Sequence, residues 1–347
     1  MIPAKGYAAQ QPKKALASWD FERREPGPKD VQFDILFCGV CHSDIHQIRD
    51  EWGEGAYPMV PGHEIVGKVT RVGADVKKFK VGDLAAVGCL VDSCRTCDNC
   101  QSDLEQFCLN GGTFTYNSLE QDKKTRTYGG YSNRIVVNEH FVMRVSDHLS
   151  LPAVAPLLCA GITTYSPLRH WKVGKGHQVA ILGLGGLGHM GVKFAAAFGA
   201  EVTMLSSSPA KETDAKRLGA HHFILTRDPK QVEAVKGKFD FILDTVSAPH
   251  DLNLSLGMLN TDGVHICVGI PPTPLQLEMF SLIHGRKSLV GSMIGGMAET
   301  QEMLDYCAAH GIVSDIELIP IQDINKAFER MVRGDVRYRF VIDMATL

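Results

Sequence analysis

The sequence lacks any apolar run approaching the ~20 residues that a membrane-spanning helix needs. It also lacks an excess of charge of either sign. Its 36 Lys and Arg stand against 39 Asp and Glu, for a formal net charge of −3. That balance leaves no footprint for nucleic acid or for an anionic membrane, so neither is expected as a partner. Internal repeats and low-complexity tracts are missing as well. The first residues, Met1-Ile2-Pro3-Ala4-Lys5-Gly6, carry no long apolar stretch of the signal-peptide kind, and a cytoplasmic location is the expectation.

What is present is an ordinary globular composition, with 44% apolar and 22% charged residues in 347. Domains of roughly 100–200 residues make two domains the natural division. Ten cysteines raise the question of disulfides. Four of them, however, cluster between Cys94 and Cys108. In a long chain without a secretion signal, clustered thiols read as metal ligands.

The chain changes character along its length. Val31–Leu36 and Ile65–Val72 alternate as strands of a twisted β domain with glycine-marked bends. From about residue 175, short apolar runs at Val179–Leu182, Val202–Leu205, His222–Leu225, Phe239–Leu243 and Val264–Val268 alternate with helical stretches. The stretches at Met190–Phe198, Ala210–Leu218 and 250–258 supply those helices. Continuous apolar strands between helices predict a parallel sheet covered on both faces, the α/β doubly wound class. The tail adds an amphipathic helix over Asp323–Arg333 and a strand over Arg339–Ile342.

Cys94, Cys97, Cys100 and Cys108 follow the spacing C-x2-C-x2-C-x7-C. Four thiolates close a tetrahedral zinc shell and leave no position for substrate, so this set predicts a structural zinc. An iron–sulfur cluster is the sharper rival, since similar spacings hold such clusters. Asp98 and Asp103, between these cysteines, are read as solvated loop positions.

Gly183-Leu184-Gly185-Gly186-Leu187-Gly188 follows one predicted strand and opens a predicted helix. The glycines permit a tight turn and close approach of a pyrophosphate to the helix N-terminus. Dinucleotide folds specific for NAD place an acid on the ribose 2′-hydroxyl about 20 residues further on. Here the next strand ends in Ser206-Ser207-Ser208, and no acid follows before Glu212. Hydroxyls with Lys211 nearby suit a 2′-phosphate, which predicts NADP(H). Ser208-Pro209 also fits a plain helix N-cap, a role that leaves Ser206 and Ser207 free.

With these motifs, Gly62-His63-Glu64, Leu157-Leu158-Cys159-Ala160-Gly161-Ile162-Thr163, Gly295-Gly296 with Glu299–Met303, and Val336–Asp343, the sequence resembles the zinc-containing medium-chain dehydrogenase/reductase family over essentially its whole length. Within that family it resembles most the cinnamyl alcohol dehydrogenase branch and its bacterial aldehyde reductases. The resemblance implies a GroES-like catalytic domain over residues 1–157, a Rossmann domain over 158–294, and a return to the catalytic domain over 295–347. It implies a cleft between the domains and a homodimer joined edge to edge near Ser288–Ser292.

The resemblance assigns residues as well. Cys41, His63 and Cys159 would hold a catalytic zinc with one open position, making two zinc ions per chain with the four-cysteine set. Each of the three is weak alone, and the Cys2His shell is already associated with alcohol dehydrogenase, so it is recognised rather than deduced. Glu64 corresponds to the acid near the metal, and Asp44 to the carboxylate that orients His63. Ser43 and His46 match the two protein ends of a proton relay. His42 and Arg339 match positions beside the pyrophosphate, with His42 where some members carry Arg. Trp52 and Phe114 are candidates for an aromatic substrate wall, although core packing is an equal reading for both. Phe114 stands where plant lignin-pathway relatives carry Trp.

The implied function is hydride transfer between NADP(H) and a primary alcohol or aldehyde, mainly as a broad-specificity aldehyde reductase. A cinnamyl-specific dehydrogenase, a zinc-free reductase of the same superfamily, a non-enzymatic zinc-ribbon binding protein and a retired enzyme kept as a structural protein are the rivals.

Overall fold

A computed structural model describes all 347 residues. The chain divides into two compact units, one of Met1–Ile162 with Gly295–Leu347 and the other of Thr163–Ile294.

The first unit is built on a seven-stranded sheet. Its strands lie in the order Ile316–Pro320, Arg339–Asp343, Asp30–Gly39, Ile65–Val72, Leu84–Val87 and Met143–Arg144, with Arg134–Asn138 also paired to Asp30–Gly39. The tail strand Arg339–Asp343 therefore lies in the sheet built by the first part of the chain. The long strand Asp30–Gly39 has buried side chains on both faces, among them Val31, Phe33, Ile35 and Cys38. The helix Ile324–Val332 buries Ile324, Ala327, Phe328 and Met331, a stripe at i, i+3, i+4 and i+7 that the amphipathic pattern predicts.

The second unit holds a six-stranded parallel sheet. Its order in space is His222–Leu225, Glu201–Ser206, Gln178–Leu182, Phe239–Asp244, Leu259–Cys267 and Ser288–Gly291. Numbered along the chain this is 3-2-1-4-5-6, the doubly wound order of dinucleotide folds. Parallel strands covered on both faces need apolar side chains on both, and Val179, Ala180 and Ile181 are completely buried. Phe239, Ile242, Leu205, Leu252 and Leu256 belong to one buried core cluster of this unit. Each such side chain contributes roughly 1.5–3 kcal/mol on burial.

Several boundaries differ from the sequence expectation for local reasons. The helix expected near residue 250 begins at Leu252, because the Asp251 side chain accepts from Asn253 and Leu254 N–H and fixes the cap there. The strand expected from Val264 starts at Leu259, which pairs with Phe239 across a register irregularity. Ser208-Pro209 opens a 3-10 turn over Pro209–Lys211 ahead of the helix Glu212–Leu218, but the Ser208 side chain caps neither. Ser206 Oγ instead accepts from the Ser208 N–H at 3.2 Å.

Candidate active site

The strands Asp30–Gly39 and Ile65–Val72 are antiparallel, with Cys38 opposite Ile65. Cys41 therefore leaves the end of one strand where His63 and Glu64 enter the other. The Gly39 N–H donates to the Glu64 carbonyl at 2.9 Å and locks the two ends together. Only glycine fits at 39, because a Cβ there would stand 1.9 Å from Glu64 Oε2. Cys159 follows the buried turn Ala155–Leu158. The structure thus gathers Cys41, His63, Glu64 and Cys159, all buried, with one ligand atom of each within 4.8 Å of the others.

This donor set fits zinc. The Sγ atoms of Cys41 and Cys159 lie 3.9 Å apart. Two thiolates at about 2.3 Å from a tetrahedral ion are separated by about 3.8 Å. The hydrogen bond with Cys159 lowers the Cys41 thiol well below its ordinary range, so Cys41 is the readier thiolate of the two. Burial pushes the Glu64 carboxyl up to about 7, against the pull of the Arg339 charge. Glu64 Oε1 accepts from the Arg339 guanidinium, while its Oε2 has no hydrogen-bond partner. An orphaned buried oxygen beside two thiols and an imidazole is what a cation in their midst would satisfy.

Asp44 organises the cluster. It occupies the third position of the short helix His42–Ile48 and closes a capping box with Cys41. Its carboxylate accepts from the N–H of Cys41 at 2.9 Å, the N–H of Gly62 at 3.1 Å and the hydroxyl of Tyr131 at 3.1 Å. His63 Nδ1 lies 3.3 Å from the same carboxylate. That contact uses one ring nitrogen and leaves Nε2 as the ligand atom. The Tyr116 ring stacks on His63 with centroids 5.9 Å apart.

Around this centre, Ser43 Oγ lies 3.6 Å from Cys41 Sγ. His46 Nδ1 is 2.5 Å from Glu51 Oε2, and its ring stacks on Trp52. His42 is exposed at the start of the same helix. Arg339, matched by resemblance to a pyrophosphate contact, is buried here in its ion pair with Glu64. Trp52 and Phe114 are 44% and 45% exposed, so neither packs in the core.

The second cysteine set is equally compact. Cys94, Cys97, Cys100 and Cys108 place their sulfurs within 4.8 Å of one another. Backbone N–H groups of Cys94, Cys97 and Leu109 point at the sulfurs of Cys108, Cys94 and Cys97 at 3.4–3.5 Å. Such donors favour thiolates, and hydrogen bonds from the Thr96 backbone, the Asn110 side chain and the Cys97 backbone lower the Cys94 thiol to about 5. Four sulfurs and no other donor describe a closed zinc shell. Asp98 and Asp103 are both exposed.

In the second unit, the glycine turn links the strand Gln178–Leu182 to the helix Gly188–Ala197. Gly188 is obligatory for close packing, since a Cβ there would meet the Gly183 carbonyl at 1.8 Å. A Cβ at Gly185 would meet nothing within 4 Å, so that face of the turn is open. Gly186 and Leu187 complete the turn between them. Lys211 Nζ donates to the Leu184 carbonyl at 2.7 Å, which brings an ammonium group to the turn. Ser206 is buried at its strand end, Ser207 is exposed and Ser208 half-buried. An open glycine face, a helix N-terminus, hydroxyls and one ammonium group fit a phosphorylated dinucleotide.

Four residues here carry no signal in the sequence. Tyr116 and Tyr131 support His63 and Asp44 from distant positions. Cys89 hydrogen-bonds with Cys159, which lowers its thiol. Thr245 Oγ lies 2.9 Å from the Leu182 carbonyl and 3.0 Å from that of Gly183, at the base of the glycine turn.

Known proteins share this construction. The alcohol dehydrogenase GroES-like domain family matches residues 27–147, and the zinc-binding dehydrogenase family matches residues 186–309. An NADP-dependent alcohol dehydrogenase C 1 of Mycolicibacterium smegmatis is 54% identical, over 100% of this chain and 99% of that protein. An aldehyde reductase YahK of Escherichia coli is also 54% identical, over 98% of this chain and 97% of its own. A cinnamyl alcohol dehydrogenase structure from Sorghum bicolor superposes with a TM-score of 0.96 at 45% identity, covering 99% of this chain and 98% of that one.

Proposed function

This chain belongs to the zinc-binding alcohol dehydrogenase family, in its cinnamyl alcohol dehydrogenase branch, and we propose that it acts mainly as a broad-specificity, NADP(H)-dependent aldehyde reductase. The observation that carries this reading is the contrast between the two metal sets. One has four thiols and is closed, whereas the other has two thiols, an imidazole and the Glu64 carboxylate, an oxygen donor that a substrate oxygen can replace.

Zinc at the open set would supply a Lewis acid that polarises a carbonyl or lowers the pKa of an alcohol. The dinucleotide would supply the hydride. The residues of the chain do the rest. Cys41, His63 and Cys159 hold the metal, and Asp44 fixes the His63 ring. Ser43 Oγ exchanges the proton of the reacting oxygen, and His46, held by Glu51 at Nδ1, passes it toward solvent. Glu64 stands beside the metal and Arg339 balances its charge. Gly183, Gly185, Gly186, Leu187 and Gly188 receive the pyrophosphate. Ser206, Ser207, Ser208 and Lys211 receive the 2′-phosphate. Trp52 and Phe114 offer apolar surface to the substrate.

The catalytic unit is Met1–Ile162 with Gly295–Leu347, so that Cys159 belongs to it and not to the stretch expected to start at residue 158, and the dinucleotide unit is Thr163–Ile294. The enzyme is a homodimer joined through the edge strand Ser288–Gly291. Supporting this, the strand ends its sheet, and Met279, Phe280 and Ile283 of the second unit are 60–77% exposed. Phe280→Glu should shift the sedimentation of a dimer toward the monomer. The location is cytoplasmic, in keeping with cysteines that form no disulfide, and cell fractionation tests it.

The main test is the oxidation of NADPH and of NADH by the purified protein with a panel of aldehydes, read as kcat/KM, alongside its metal content. We expect two zinc ions per chain, a strong preference for NADPH and turnover of several unrelated aldehydes. A single zinc, or equal use of NADH, refutes the reading, and a sharp preference for cinnamyl aldehydes favours the narrower dehydrogenase.

A further inference from the structure

The dinucleotide unit buries a polar island that hydride transfer does not use. The strands Phe239–Asp244 and Leu259–Cys267 are parallel, with Ile242 opposite His265 and Asp244 opposite Cys267. Alternate residues share a face, so Asp244, His265 and Cys267 project together. They face the helix Leu252–Met258, whose Ser255 Oγ lies 2.9 Å from His265 Nε2. The surroundings are the apolar core of Ile242, Leu252 and Leu256. Within that core the polar groups are hydrogen-bonded, Asp244 accepting from the Val246 N–H at 3.0 Å as well as from His250, and its Oδ2 lies 4.0 Å from His265 Nε2.

The hydrogen bonds fix the protonation of His265. Ser255 Oγ donates its one proton to the Leu252 carbonyl at 2.8 Å. It can therefore only accept from His265 Nε2–H. The lone pair of the neutral ring then lies on Nδ1, which stands 3.6 Å from Cys267 Sγ. A nitrogen at ~2.05 Å and a sulfur at ~2.3 Å from one tetrahedral ion are separated by about 3.6 Å. One ligand atom each of Asp244, His265 and Cys267 lies within 4.8 Å of the others.

We propose that Asp244, His265 and Cys267 form a third metal site, independent of the two zinc sets, for a borderline divalent cation of the zinc or cobalt type. Ser255 holds the His265 ring by its Nε2–H, as the outer partner of a metal-binding histidine does. His250 holds the carboxylate. Its Nδ1 bonds the Ala248 carbonyl at 2.9 Å and its Nε2 bonds Asp244 Oδ2 at 2.8 Å. Both partners are acceptors, so the ring carries both protons, and its pKa is raised accordingly. Cys267 is half-buried, which leaves a path for the ion. A thiol binds a metal as its thiolate, so binding replaces the thiol proton with the metal and releases one proton to solvent.

The test uses the zinc-loaded holoenzyme, counted for metal beforehand and then titrated with Co2+. One added Co2+ per chain should bind with a thiolate-to-cobalt charge-transfer band and the release of about one proton, while the zinc already present stays bound. Cys267→Ala and His265→Leu should each abolish that added equivalent and leave the zinc count unchanged. Leu at 265 suits the apolar surroundings, and a melting curve without cobalt checks that each variant is folded. No added equivalent in the wild type, or one that persists in both variants, overturns the proposal. A failure of the dehydrogenase reading would instead change the zinc count or the aldehyde turnover, neither of which scores this site.

Discussion

Replacing Asp44 by Asn tests whether its carboxylate holds the open metal set together. The carboxylate faces four donors, the N–H groups of Cys41 and Gly62, the Tyr131 hydroxyl and His63 Nδ1. Alanine would strand them all, at about 1–3 kcal/mol for each buried donor. The sum rivals the whole stability of a typical domain, so alanine would report folding and little else. Asparagine keeps the shape but has one oxygen and one NH2 group. Tyr131 can rotate to accept from that NH2 group, whereas the two backbone N–H groups cannot invert. In either amide orientation one of them faces a donor, which costs about 1–3 kcal/mol. If the NH2 group faces His63, Nδ1 must accept, the ring proton moves to Nε2, and Nε2 is lost as a ligand. If it faces Cys41, the cap that aims this thiolate is broken. Loss of such an outer contact typically costs about 10–100-fold in metal affinity. The assay is zinc release against a chelator of known affinity, with metal counted per chain. Asp44→Asn should give up one zinc at about 10–100-fold lower chelator strength and keep the other in the four-cysteine set. Release of both zinc ions together, or release identical to wild type, refutes the argument.

Cys97→Ser should lose the zinc of the closed set and lower the melting temperature, while aldehyde turnover by the surviving folded protein stays near wild type. Ser43→Ala should lower kcat by about 10²–10⁴-fold with zinc content unchanged, and an unaltered kcat and pH profile would make Ser43 structural only. Ser207→Asp should depress kcat/KM for NADPH much more than for NADH. A charge pair at ~4 Å and an effective dielectric of ~20 costs about 4 kcal/mol, roughly a thousandfold. The exposure of Ser207 makes that an upper bound, and equal losses for both cofactors would remove it from the phosphate site.

Much of the second unit is legible in the sequence, and the reason is physical. Its strands are covered on both faces, so they stand out as short apolar runs between glycine turns, and each run in the sequence marks a strand in the sheet. Ends are less legible, because a cap is decided by competition among polar groups a few residues apart. Ser208 looks like an N-cap, yet its own N–H is taken by Ser206 Oγ and its side chain caps nothing. Contacts set by strand register are not legible at all. Arg339 meets Glu64 across 275 residues, and Tyr131 meets Asp44 across 87. Only the pairing of Arg339–Asp343 with Asp30–Gly39, and of that strand with Ile65–Val72, brings Arg339 and Glu64 to one sheet end.

The two zinc sets illustrate the same division. A closed shell needs only that four thiolates reach one point, and a short loop supplies them, so Cys94–Cys108 announces itself by spacing. An open shell must also keep one position clear of the loop that makes it. That is achieved by donors from separate elements, and here Cys41 and Cys159 come together from 118 residues apart. The dispersal that keeps the fourth position open is what hides the set from spacing, so it is visible in the sequence only through resemblance. The Asp244, His265 and Cys267 cluster has the same dispersed character within a single sheet, and it emerges only when the register sets Asp244 beside Cys267. Sites whose donors come from different strands are therefore the ones for which a structure adds most to a sequence.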